Sequence, residues 1–94
     1  MSKTTKAIDT RIESIGYRIR MADLLACYIV YENEKDDKEV IIEWDDDEEY
    51  CLIFSQTISR LKDWTGNTYQ MPTALSIQEA GVFIEKINEM RTES

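Results

Sequence analysis

The chain reads as an α+β domain with an N-terminal helix, a three-stranded antiparallel meander and two C-terminal helices. Three observations carry that expectation. Apolar residues recur at helical spacing near both ends, at Ile8, Ile12, Ile15, Ile19 and Ala22 and again at Ile77, Ala80, Ile84, Ile87 and Met90. Between them, three short β-branched and aromatic segments alternate in character. Charged connections separate those segments, as in a meander.

The 94 residues make one small domain. A chain of this length buries only about 60 to 70 per cent of its unfolded surface, which leaves little room for an enclosed substrate chamber. A hydrophobic content of 43% argues against global disorder. No stretch reaches the roughly 18 apolar residues of a membrane span, and no signal-peptide hydrophobic region follows Met1 to Lys6. The expected setting is cytoplasmic, with no membrane partner.

Met1 to Thr5 is polar and expected to fray, with Thr4 or Thr5 capping the first helix. That helix is expected to reach about residue 22, because Ala22, Leu24, Leu25 and Ala26 favour helix over strand. Gly16 weakens it by about 1 kcal/mol relative to alanine. A break at Gly16 would leave Tyr17, Ile19 and Met21 alternating in an extended segment. The meander comprises Tyr28–Tyr31, Val40–Trp44 and Tyr50–Phe54, with Val40–Trp44 at its centre.

From Thr57 to Trp64, the positions Ile58, Leu61 and Trp64 repeat at helical spacing, and Gly66 is a stop signal. A loop follows to Thr73, in which Pro72 restricts Met71. Ser76 with Glu79 is a capping-box pattern that opens a final helix to about Arg91. Gly81 within it is a candidate for close helix packing, and Thr92 to Ser94 should fray. An all-α helical bundle is the competing reading. Positions 8, 12, 15, 19, 22, 26 and 29 keep a four-three spacing unbroken, and Tyr50, Phe54, Thr57 or Ile58, Leu61 and Trp64 form a second stripe.

Charge is the most informative property. The formal net charge is −8, yet residues 31–50 alone carry −9, so the imbalance is a local device. Eleven of the 19 carboxylates lie between Glu32 and Glu49, and Lys35 and Lys38 are the only basic residues there. A negative balance disfavours direct nucleic-acid binding, which works through basic groups and counterion release. The expected partner is a basic protein, or nothing in particular.

The candidate partner-binding residues are therefore Glu32, Glu34, Asp36, Asp37, Glu39, Glu43, Asp45, Asp46, Asp47, Glu48 and Glu49. Trp44 beside them is a candidate interface anchor, with a core position as the alternative. Duplex DNA carries a negative charge about every 1.7 Å along its axis, and carboxylates on strands and turns can present a comparable surface. The plain alternative is that charged turns and edge strands keep a small domain soluble and block edge pairing. Trp64 is expected in the core and Tyr69 as loop cover.

Catalytic and metal chemistry find little support. The Asp45 to Glu49 run lacks the alternating ligands, central glycine and distant glutamate of an EF-hand loop, and two scattered cysteines do not make a zinc site. The chain has no histidine to act as a base near neutral pH. The expectation is a non-enzymatic protein with no cofactor. Cys27 and Cys51 are expected as buried, reduced thiols. Arg11, Arg18 and Arg20 are expected to form intramolecular salt bridges or a head-to-tail contact. A homodimer through the Ile8 to Ile19 stripe is the alternative to ordinary packing of that stripe.

In size, acidity and helix-sheet-helix order, the chain resembles small acidic phage-encoded inhibitors of host nucleic-acid enzymes, of the DNA-mimic and anti-CRISPR kinds. The resemblance is one of general character and carries over no individual residue. It implies an inhibitor that meets a nucleic-acid enzyme or CRISPR effector through a phosphate-like carboxylate surface. Immunity or antitoxin proteins that neutralise a basic toxin share the same acidity. A small homo-oligomeric accessory protein, in which the carboxylates only solubilise, is the remaining alternative.

Overall fold

The computed structural model describes residues 3–45, 47 and 50–93. Helix α1 (Lys3–Ser14) precedes four strands, β1 (Arg18–Asp23), β2 (Tyr28–Asn33), β3 (Lys38–Trp44) and β4 (Cys51–Thr57). A short hairpin follows, β5 (Leu61–Lys62) and β6 (Thr68–Tyr69), and α2 (Ile77–Glu93) ends the described chain. The first four strands form one antiparallel sheet in chain order, and β5 and β6 form a second. Met1, Ser2 and Ser94, expected to fray, lie outside the described residues, as do Asp46, Glu48 and Glu49 of the acidic run.

The class is α+β with a helix at each end, but the three-stranded meander and the second C-terminal helix are overturned. The first correction is at Gly16. The N–H of Gly16 bonds the Glu13 carbonyl at 3.0 Å and that of Tyr17 bonds the Ile12 carbonyl at 3.2 Å. With Gly16 at φ +99°, this is the Schellman end of a helix. A Cβ there would stand 2.8 Å from Asn33 Nδ2, so glycine meets both a backbone and a space requirement. The expected helix to residue 22 therefore stops at Ser14, with Thr4 and Thr5 inside it. Arg18–Asp23 becomes a fourth strand, paired with β2.

The second correction lies after Phe54. Thr57 donates its N–H to the Met71 carbonyl at 2.8 Å, and Thr73 donates to the Ser55 carbonyl at 3.0 Å. Residues 71–73 thus return along the β4 edge, which draws Ser55, Gln56 and Thr57 into the strand and forbids a helix from Thr57. One C-terminal helix remains. These same strands overturn the all-α alternative.

Both tight turns of the meander use one device. Asp23 Oδ1 accepts the Ala26 N–H at 3.0 Å, and Asn33 Oδ1 accepts the Asp36 N–H at 3.1 Å. Each turn then passes through a left-handed residue, Cys27 at φ 58° or Asp37 at φ 53°.

Side chains alternate across the sheet, so each strand contributes to two faces. Ile29, Tyr31, Val40, Ile42 and Trp44 join Ile8, Ile12 and Tyr17, with Val82, Phe83 and Ile87 of α2, in one core. Tyr17 and Phe83 meet edge to face at 5.3 Å. The Ile8 and Ile12 stripe is buried here rather than offered to a dimer partner. Along α2 the buried positions are Val82, Phe83, Lys86, Ile87 and Glu89, whereas Ile77 and Ile84 of the expected stripe are exposed. Lys86 is buried beside Asp9 at 2.8 Å and Glu89 at 3.5 Å. Nothing lies within 4 Å of a Cβ placed on Gly81, so no close packing requires that glycine.

Candidate binding face of the sheet

Strand register assigns the opposite face. Arg18 pairs with Glu32, Met21 with Val30, Asp23 with Tyr28, Val30 with Ile41, Tyr28 with Glu43, Ile41 with Phe54 and Glu43 with Leu52. These residues share the side away from the helices. Arg20 sits at the register shift between Ile19 and Met21, and a bulge of this kind re-aims a side chain. Among the described residues, no helix or strand covers this outer face.

The face divides into two zones. The end nearest the β2–β3 turn is polar and internally matched. Arg18 pairs with Glu32 at 3.0 Å and with Glu34, and Arg20 pairs with the buried Glu39 at 3.3 Å. Gln56 and Gln70 donate to Glu39 Oε2 at 2.6 and 3.2 Å. Asp36 accepts from Asn33 Nδ2 at 3.1 Å. Asp37 accepts from the Ser59 N–H at 2.8 Å and its hydroxyl at 2.5 Å, and the hydroxyl bond leads the effects that hold its pKa below the usual aspartate value.

The far end is apolar and acidic. Met21, Leu52 and Phe54 are exposed, and Tyr28 and Ile41 are half-buried beside a fully buried Val30. The Tyr28 hydroxyl reaches Met21 Sδ at 3.7 Å. Asp23 and Glu43 stand on this zone, and the loop after β3 adds Asp45 and Asp47. Asp45 Oδ1 accepts the Asp47 N–H at 2.8 Å, and its Oδ2 accepts the Tyr50 hydroxyl at 3.2 Å. Among the described residues, neither Glu43 nor Asp47 has a basic partner. Leu24 and the fully exposed Leu25 cap the neighbouring turn.

The acidic block is thereby split. Glu32, Glu34, Asp36, Asp37 and Glu39 lie at one end of the β2–β3 hairpin, and Glu43, Asp45 and Asp47 at the other. Along β3 the nearest members, Glu39 and Glu43, stand four positions or roughly 13 Å apart, and Asp37 and Asp45 flank the two ends of the strand. Trp44 points into the core and is 6% exposed, so it does not stand on the surface beside them. Asp46, Glu48 and Glu49 lie outside the described residues. Leu52, Phe54, Tyr28 and Met21 were missed as surface residues because apolar alternation reads as core on whichever face it falls.

Two further expectations change. Trp64, read as core, is 96% exposed, and Cys51, read as buried, is exposed, while Cys27 is half-buried. Arg18 and Arg20 do form intramolecular ion pairs, and Arg11 pairs with Glu85 at 2.6 Å. Among the described residues, no group of three or more His, Cys, Asp or Glu is placed to hold a metal ion, and no helix is long and apolar enough to cross a membrane. No protein-family model matches the chain, nor does any curated protein or solved structure. The class is therefore defined by geometry alone, as a four-stranded meander with two helices on one face and an open, zoned second face.

Proposed function

We propose that this is a non-enzymatic binding module that docks a basic protein on the far zone of the outer sheet face. The observation that carries the reading is the coincidence of exposed Leu52, Phe54 and Met21 with Glu43 on a sheet face that no described element covers, next to the β3–β4 loop that holds Asp45 and Asp47. Exposed apolar groups beside unmatched charge mark interaction surfaces. The apolar centre supplies affinity, while the carboxylates steer a positively charged partner and set its orientation. Inhibition or regulation of a nucleic-acid enzyme is the specific form we favour, in a cytoplasmic setting that suits two free thiols.

The partner recognised here has an apolar as well as a basic surface. A pure phosphate mimic relies on charge alone, and Glu32, Glu34 and Glu39 are already matched by Arg18 and Arg20. The test is affinity capture from host lysate at rising salt, with duplex DNA or RNA added as competitor. A captured nucleic-acid enzyme displaced by the polynucleotide supports the inhibitor form. A captured toxin indifferent to polynucleotide supports the immunity-type form. Absence of any salt-sensitive partner refutes docking on this zone.

A further inference from the structure

The β5–β6 hairpin is an arm that no other described helix or strand covers. Its strands pair through Leu61 with Tyr69 and Lys62 with Thr68, and among the described residues no other element packs extensively on them. A lone two-stranded hairpin is marginal in water. Here the turn holds it together: Asp63 Oδ1 accepts the N–H groups of Thr65 at 2.8 Å and Asn67 at 3.0 Å, and Asp63 donates its own N–H to the Asn67 carbonyl at 2.9 Å. Gly66 at φ +91° completes the reversal. The base is fixed by the two Asp37–Ser59 bonds. A built turn thus presents an almost fully exposed Trp64, with Leu61, Tyr69 and Met71 exposed behind it. Tryptophan so placed is a typical binding anchor.

The arm and the far zone are opposite in chemistry and in position. On the arm Arg60 and Lys62 outweigh Asp63, whose carboxylate is taken up by the turn, whereas Glu43, Asp45 and Asp47 make the far zone acidic. The arm leaves the sheet where Lys38 pairs with Thr57, and the far zone ends where Trp44 pairs with Cys51. Because the arm and the far zone lie at opposite ends of the strands, an antiparallel twofold pairing of two copies would bring each arm toward the other's far zone. Four strands of about six residues give a footprint of roughly 15 by 20 Å. That falls short of the ~800 Å² per partner in a stable interface, and the two arms extend it.

We propose that a second copy of this chain occupies the far zone. Each arm seats Trp64 on the other's Leu52 and Phe54, with Arg60 and Lys62 against Glu43 and Asp47. The inference rests on reading that zone as a binding face and adds a means of regulation, because the arm and an outside basic partner compete for one surface.

Sedimentation equilibrium on the full chain tests it. Wild type dimerises, more weakly at high salt, and W64A weakens the dimer by roughly thirtyfold or more. R60E/K62E and E43K/D47K are each monomeric, yet their equimolar mixture dimerises, because both contacts are then complementary. A monomeric wild type, or a mixture that stays monomeric, overturns the arm exchange. If such a monomer still binds a basic partner and loses it on L52S/F54S substitution, the proposed function stands while this inference fails.

Discussion

Tyr17 donates its phenolic hydroxyl to Glu79 Oε2 at 2.6 Å, a bond that spans 62 positions in sequence and ties the end of α1 to the start of α2. Glu79 is also the return half of the capping box. Its Oε1 accepts the Ser76 N–H at 2.8 Å while its own N–H bonds Ser76 Oγ at 3.0 Å, and Lys38 Nζ approaches at 3.5 Å. One carboxylate therefore joins α2, β3 and the segment entering β1. Tyr17→Phe keeps the ring against Phe83 and removes only the bond, so it should cost about 1.5–3 kcal/mol in denaturant unfolding, as for hydrogen bonds to charged groups.

The same contact makes stability depend on pH. Burial pushes the Glu79 pKa up, but bonds from Ser76 and Tyr17 and the nearby Lys38 outweigh it and hold the group below its ordinary value of 4.5. The unfolded chain then binds the Glu79 proton more readily than the folded one. The contribution is full above about pH 4.5 and is lost as pH falls through the lower folded value. Glu79→Gln should flatten the melting temperature between pH 3 and 5 (roughly the carboxylate range) relative to wild type. An unchanged acid limb would remove Glu79 from that role.

Gly16, just past the end of α1, and Gly81, inside α2, should respond in opposite directions. Gly16→Ala places a Cβ 2.8 Å from Asn33 and forces a left-handed alanine, so it should destabilise by at least about 1–2 kcal/mol. Gly81→Ala meets nothing within 4 Å on an exposed helix position and should stabilise by about 1 kcal/mol. At this chain length each kcal/mol moves the melting temperature by roughly 4–8 °C.

Asp37 was a candidate partner contact, and the structure gives it work inside the chain. Asp37→Asn keeps a residue that tolerates the left-handed turn and replaces one of the two acceptors of Ser59 at the base of the arm by an amide NH2. Amide exchange at Ser59 and through residues 61–69 should accelerate while β2 and β3 keep their protection. Uniform acceleration across the sheet would instead make Asp37 a determinant of the whole fold.

Elements whose local chemistry has a single meaning were legible in the sequence. Ser76 and Glu79 form the capping box that their spacing indicates, and the alternating segments around Ile29, Ile42 and Ile53 lie in β2, β3 and β4. Gly16 sits within a run of helical spacing, where a glycine looks like a flaw in a helix, whereas its bonds make it the helix end. Ile58, Leu61 and Trp64 have helical spacing yet lie on a bend and an arm, because the bonds of Thr57 and Ser55 to residues 71–73 are non-local. The acidic block was visible as composition. Its division depended on strand register and on Arg18 and Arg20 reaching across to Glu32 and Glu39.

The most direct test compares two sets of substitutions on one captured partner. L52S/F54S and E43Q/D47N alter the far zone, whereas E34Q/D36N neutralises equally acidic positions at the other end. The account predicts that binding falls at least roughly tenfold for each far-zone variant and stays within about twofold for E34Q/D36N. Loss of the partner on E34Q/D36N, with L52S/F54S binding as wild type does, would contradict it and return the function to the carboxylates of the β2–β3 turn.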